Sequence, residues 1–156
     1  ECLIRGTALF LAMIGLSMML GAGEPFRVLR EPDVLFGLSN RSALVLAGVV
    51  HLVIGVCVLA TRNPNMQALV LLWLGLNHLV YRLGLSWMGV REPPVVRTVS
   101  LKLGMRAETL DMARRWFIGY LILGSALVLL LEWRGQKRRE AEAFMEEYRR
   151  RRRRGV

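Results

Sequence analysis

Four stretches of this chain, residues 2–21, 42–61, 66–88 and 116–133, are apolar over about the 20 residues an α-helix needs to cross a ~30 Å hydrocarbon core. In hydrocarbon each backbone N–H and C=O must find its partner within its own segment, so runs of this length fold as helices. Composition agrees: with 54% hydrophobic residues in a chain of 156, there is more apolar surface than a water-soluble fold of this size can bury. The sequence predicts an all-α membrane protein: an antiparallel four-transmembrane-helix bundle with two outer loops and a basic cytoplasmic tail helix. Residues 1–133 form the bundle in this reading and residues 134–156 the tail.

Charge orients the chain. Ten of its 22 Lys and Arg residues follow Trp133, including the run Arg149–Arg154, and basic residues beside a span concentrate on the cytoplasmic side. With the tail inside, four crossings place the N-terminus inside too. The connections 22–41 and 89–115 then face outward, and Arg62–Asn65 is a tight inner turn around Pro64. The second outer loop opposes this assignment with Arg91, Arg97, Lys102, Arg106, Arg114 and Arg115, but the tail block is denser. The chain opens on Glu1, which leaves room for a short preceding piece. The first span reads as retained, since it runs past Gly15 to Gly21 without a small-x-small processing site.

The first outer loop is interrupted by Phe26, Val28, Leu29, Val34, Leu35, Phe36 and Leu38, and Pro25 and Pro32 break regular structure. It is expected in the membrane interface or folded over the bundle. In the second, Val95–Leu103 alternates as a short strand would, and Ala107–Arg115 is patterned as a short helix leading into the fourth span. From Glu132 to Arg154 there is no proline and only Gly135, with Glu and Arg residues at helical ion-pair spacings. Phe144, Met145 and Tyr148 share one face. Together with Arg149, Arg150, Arg151 and Arg152 they offer a contact surface for membrane lipids or for a partner subunit. The plainer alternative for the arginines is a topology determinant with a frayed end. Nucleic acid is disfavoured as a partner, because the run has no interleaved aromatics.

Ionisable groups at membrane depth are costly and usually face the bundle interior. His51 lies thirteen residues before Pro64 and His78 fourteen after it, so at ~1.5 Å per residue the two imidazoles share a depth on adjacent helices. Such a pair can ligate a b-type haem or a metal, serve a quinone site, or relay protons; alternatively each ring simply hydrogen-bonds a neighbouring helix. Asn77, Tyr81 and Arg82 extend the polar ridge of the third span. Arg82 either snorkels outward, as an interface anchor beside Tyr81 and Trp87, or pairs with Glu24, Glu31 or Asp33. Cys2 and Cys57 lie in apolar spans, with no C-x-x-C, and no disulfide is expected. The sequence holds no Ser-His-Asp set, carboxylate pair, metal signature or phosphate loop.

The order of four spans, the segment Glu31–Arg41 (EPDVLFGLSNR) entering the second, and Asn77–Gly89 (NHLVYRLGLSWMG) closing the third resemble the MauE/DoxX-like family of small bacterial membrane proteins. The resemblance implies the four-helix fold, a bacterial inner-membrane location, and association with periplasmic thiol redox maturation or quinone-linked oxidation complexes. Related sequences carry a Pro-Cys-x-Cys-type motif after the third span. Here residues 91–97 read REPPVVR, with Pro94 and Val96 in the thiol places, so the nucleophiles for thiol exchange are missing. The expected function is a noncatalytic integral membrane subunit or accessory factor of a larger inner-membrane assembly. The alternatives are a b-haem or quinone-site electron-transfer protein using His51 and His78, and a redox-maturation factor acting through a partner's cysteines.

Overall fold

Four long helices follow where the apolar runs end on a capping residue, a proline or a glycine. The computed structural model of the chain describes residues 2–33, 35–90, 100, 104 and 106–153. Within them run α1 (Cys2–Ala22), a 3₁₀ turn (Arg27–Arg30), α2 (Asn40–Ala60), α3 (Pro64–Trp87) and α4 (Ala107–Arg153). Each long helix is apolar enough over a sufficient length to cross a membrane, as in a multi-pass membrane protein. The alternating stretch 95–103 lies outside the described residues, apart from Ser100.

Local chemistry explains the boundaries. At the start of α2 the Ser42 N–H donates to the Ser39 hydroxyl at 3.2 Å, so the helix begins just before the apolar run. At its end, both the N–H and the hydroxyl of Thr61 donate to the Cys57 carbonyl, at 3.0 and 2.7 Å. Gln67 reaches back from α3 to the carbonyls of Val58 (2.9 Å) and Thr61 (2.6 Å), occupying acceptors that the last turn of α2 leaves open. The expected turn at 62–65 is shorter than the sequence suggested. Pro64 is the first residue of α3, where its missing N–H costs no hydrogen bond.

The fourth helix departs most from expectation. Instead of a short helix, a span and a separate tail, α4 is one 47-residue helix, ~70 Å long at ~1.5 Å per residue. Nothing in residues 107–153 breaks it: there is no proline, and Gly119, Gly124 and Gly135 are each a modest penalty. Ion pairs follow the exposed part, from Arg150 to Glu146 (4.0 Å) and from Arg139 to Glu132 (3.9 Å). The second is seven residues apart rather than the three or four the sequence favours.

Packing brings all four helices onto one cluster: Ile4, Ala8 and Leu11 of α1, Ile54 and Val58 of α2, Leu71 and Leu74 of α3, and Leu121 of α4. The tightest seam is α1 against α2, built on small residues. A Cβ placed on Gly15 would sit 2.6 Å from the Gly48 carbonyl oxygen, and one on Gly55 would sit 2.9 Å from that of Ala8. Lipid chains are as apolar as leucine, so helix association rests on such close packing and not on water exclusion. The opposite faces expose Leu9, Phe10, Met13, Val53, Val56, Trp73 and Val80, as lipid contact requires.

Gly15→Ala should therefore push α1 from α2 and lower the thermal midpoint in detergent by several degrees. Gly21→Ala, whose new methyl would meet nothing within 4 Å, should leave it unchanged or slightly raised.

Candidate functional site

The polar side chains gather where α3, α4 and the first loop meet, at the end of the bundle that carries the long connections. That loop arranges itself first. The Asp33 carboxylate accepts from the N–H groups of Leu35 and Phe36 through Oδ1, both at 3.0 Å, an Asx-type turn. Gly37 follows at φ +65°, a left-handed conformation that glycine adopts without strain. Asn40 N–H donates to the Glu31 carbonyl at 2.9 Å and closes the loop.

Asp33 then fastens the loop to α3. The Tyr81 hydroxyl donates to its Oδ2 at 2.8 Å, Phe36 stacks on the Tyr81 ring at 5.8 Å between centres, and Leu35 lies against Gly84. Phe26 instead packs beside Ala22, Leu29, Leu44 and Met18. On the other flank of α3, Arg82 grips Asp111 of α4 with two prongs: Nη1 to Oδ1, and Nη2 to Oδ2 at 2.7 Å. Arg115, one turn further on, donates to the same Oδ2 from Nε (3.0 Å) and Nη2 (2.8 Å). Arg82 thus takes neither Glu24, Glu31 nor Asp33. Asp33 is engaged by Tyr81, and helix–helix packing holds Asp111 directly opposite.

Arg114 lies with its guanidinium 5.7 Å from the Tyr81 ring centre, a cation–π distance. Deeper in the bundle the His51 and His78 rings meet edge to face, 4.9 Å between centres and 84° apart. His51 is 2% exposed. Each Nδ1 donates to the carbonyl four residues earlier on its own helix, His51 to Ala47 at 2.6 Å and His78 to Leu74 at 2.9 Å. The expected hydrogen bonds to neighbouring helices are replaced by these local ones. The neutral rings keep their Nε2 lone pairs. Asn77 does not join the cluster; its amide donates to the Trp73 carbonyl at 2.8 Å and it stays exposed.

A haem between these imidazoles does not fit. Two axial bonds of ~2 Å plus the ring radii separate the ring centres by ~6 Å with a flat plate between them, whereas here the rings touch each other. Among the described residues no three His, Cys, Asp or Glu side chains group as a metal site.

A second polar contact ties α1 to α4, where the hydroxyls of Thr7 and Tyr120 lie 2.8 Å apart. An open groove of ≈ 320 Å³ lined by Gly6, Thr7, Phe10, Phe117 and Tyr120 runs along that seam, beside an inner void of ≈ 20 Å³. Cys57 is a free, exposed thiol. The Cys2 side chain, Pro94 and Val96 lie outside the described residues.

The chain matches no family model, no curated protein and no solved structure.

In the tail, Phe144 (70% exposed) and Tyr148 (59%) face outward, and Arg149, Arg150 and Arg152 are exposed. Arg151 lies in α4, its side chain outside the described residues. Asp33, Asp111 and Arg114 hold the site together. Asp33 entered the sequence reading only as one of three partners for Arg82, and Arg114 only as loop charge. Asp111 carried one local signal, its spacing of four from Arg115.

Asp111→Asn should destabilise the protein by ~3 kcal/mol, because it strips the guanidiniums of Arg82 and Arg115 of their shared carboxylate in a partly desolvated place. Thermal unfolding in detergent reads this, and Glu146→Gln in the exposed tail should shift the midpoint by less than a degree.

Proposed function

We propose that this chain is a noncatalytic integral subunit or accessory factor of a larger membrane assembly in a bacterial inner membrane. In this reading the helices cross as an antiparallel bundle, the two long connections lie outside, and the basic tail and both termini lie in the cytoplasm. The resemblance to MauE/DoxX-like proteins fits such a role without dithiol chemistry of the chain's own.

The observation that carries the reading is the free end of α4. Every side chain from Gln136 to Arg150 is exposed, yet the segment displays Phe144, Met145 and Tyr148, at 70%, 50% and 59% exposure, on one face of a helix that nothing in the described residues covers. An apolar stripe on an otherwise charged helix is the pattern of a helix that docks in a groove. The site at the loop end supports it further. Tyr81 bonds Asp33, and Arg82 and Arg115 bond Asp111, contacts that brace the first loop and α4 against α3.

One observation favours a second reading. His51 and His78 in ring contact, each with a free Nε2 lone pair, form a pair able to accept a proton or the hydroxyl of a quinol inside the bundle.

The full chain, purified from its native membrane in mild detergent, should bring down a stoichiometric membrane-protein partner. A Phe144→Asp, Tyr148→Asp double variant should lose most of it while keeping its thermal midpoint, and His51→Gln should keep the partner. Retention by the double variant would overturn the docking role of the tail. Orientation is read separately. Gly155→Cys in a Cys2→Ser, Cys57→Ser background should react with an impermeant maleimide only after permeabilisation, and labelling of intact cells would reverse the topology.

A further inference from the structure

At the loop end, three guanidiniums crowd one carboxylate. Both oxygens of Asp111 are occupied by Arg82 and Arg115, and Asp33 of the first loop is committed to Tyr81, Leu35 and Phe36. Arg114 is left with the face of Tyr81. Its Nη1 is buried and has no hydrogen-bond partner. A buried charged donor without an acceptor is among the costlier defects a fold can carry. Among the described residues positive charge is in excess here, and the group that suits the free donor is an acceptor and an anion.

The depth of the cluster narrows the class. Arg114 and Arg115 directly precede Trp116, and Arg82 lies five residues before Trp87; these tryptophans are 76% and 93% exposed. Exposed tryptophans at span ends settle at headgroup level, where phosphate oxygens are abundant. Guanidinium matches phosphate through paired, charge-assisted hydrogen bonds.

We propose that Arg114 and Arg115, braced by Arg82 and Asp111, form a binding site for a phosphate oxyanion, supplied by the headgroup of an anionic phospholipid. Arg115, 65% exposed, is the residue a headgroup meets first. Arg114 provides the buried donor that completes the contact. Tyr81 and Asp33 hold the loop beside it, so the site is assembled from α3, α4 and the first loop. It stands independently of the accessory-subunit reading, which rests on the far end of α4.

Native mass spectrometry of the full chain tests this, with phosphatidylglycerol, phosphatidylcholine and inorganic phosphate as probes. The wild-type protein should retain one phosphatidylglycerol in preference to phosphatidylcholine. Arg114→Gln and Arg115→Gln should each weaken that retention about tenfold, the loss of one charge-assisted contact, while an Arg149→Gln, Arg150→Gln, Arg152→Gln variant keeps it. Arg115 is exposed, so its variant remains informative if Arg114→Gln folds poorly. Retention of inorganic phosphate that depends on Arg114 and Arg115, with lipid retention unaffected by either, would support the oxyanion chemistry and overturn the lipid source. Equal retention of every probe by wild type and both variants would overturn the site.

Discussion

One carboxylate organises the loop end of this protein. Asp111 accepts two prongs from Arg82 on a different helix and two N–H groups from Arg115 on its own, with the side chains of the Arg82–Asp111 pair only 19% and 12% exposed. Near a bilayer such charges cannot be left to water, and isolated ions are driven out or neutralised. Pairing lets an arginine stay inside the third span and pins α3 to α4 where apolar packing alone has no preferred register. The loop gains its position from the same constraint: Tyr81, one residue before Arg82, needs an acceptor and finds Asp33.

The tightest helix seam follows a different rule. α1 and α2 meet through Gly15, Gly48 and Gly55, and their residues touch in reverse order, Gly15 with Gly48 and Ala8 with Gly55. Backbones that approach this closely hold together by van der Waals contact. α3 and α4 instead pair through ions at one end and through Gly75 against Leu121 and Ile122 further along. The two devices divide the work. Steric fit sets one helix pair, electrostatics the other, and the shared cluster around Leu11, Leu74 and Leu121 joins them.

The sequence made the spans legible because hydrophobic length is a one-dimensional property. Four apolar runs and a proline at position 64 are enough to place the helices, while the cap at Ser39, which starts α2 at Asn40, emerges only in the structure. The continuity of the helices was less legible. Hydrophobicity falls away after Trp133, which invites a domain boundary, yet the backbone continues unbroken because nothing in Arg134–Arg153 forbids it. Arg82's partner was hidden for another reason. The choice between Asp33 and Asp111 depends on which carboxylate the packing of α4 brings opposite, and no spacing rule spans 29 residues across a loop. The contact between His51 and His78 could be anticipated as a common depth from counting outward from Pro64. Which atoms they bond could not, since a local carbonyl four residues back competes with any neighbour.

Length also bears on what the basic end of α4 can touch. From Trp133, whose ring carries Lys137 at 5.9 Å, to Arg149 is ~24 Å of helix at ~1.5 Å per residue. Electrostatic attraction to a membrane surface decays over ~8 Å at physiological ionic strength. If α4 continues along the bilayer normal, its arginines lie beyond the reach of the membrane it leaves, and only a helix bent down onto the surface would bring them back. Bending has no ready site past Gly135. A surface-lying helix would also press Glu140, Glu142, Glu146 and Glu147 toward anionic headgroups, against the attraction of the arginines. In the docking role proposed above, the stripe Phe144–Tyr148 is the part of this helix suited to a groove, because its exposed apolar rings gain nothing from the water around them.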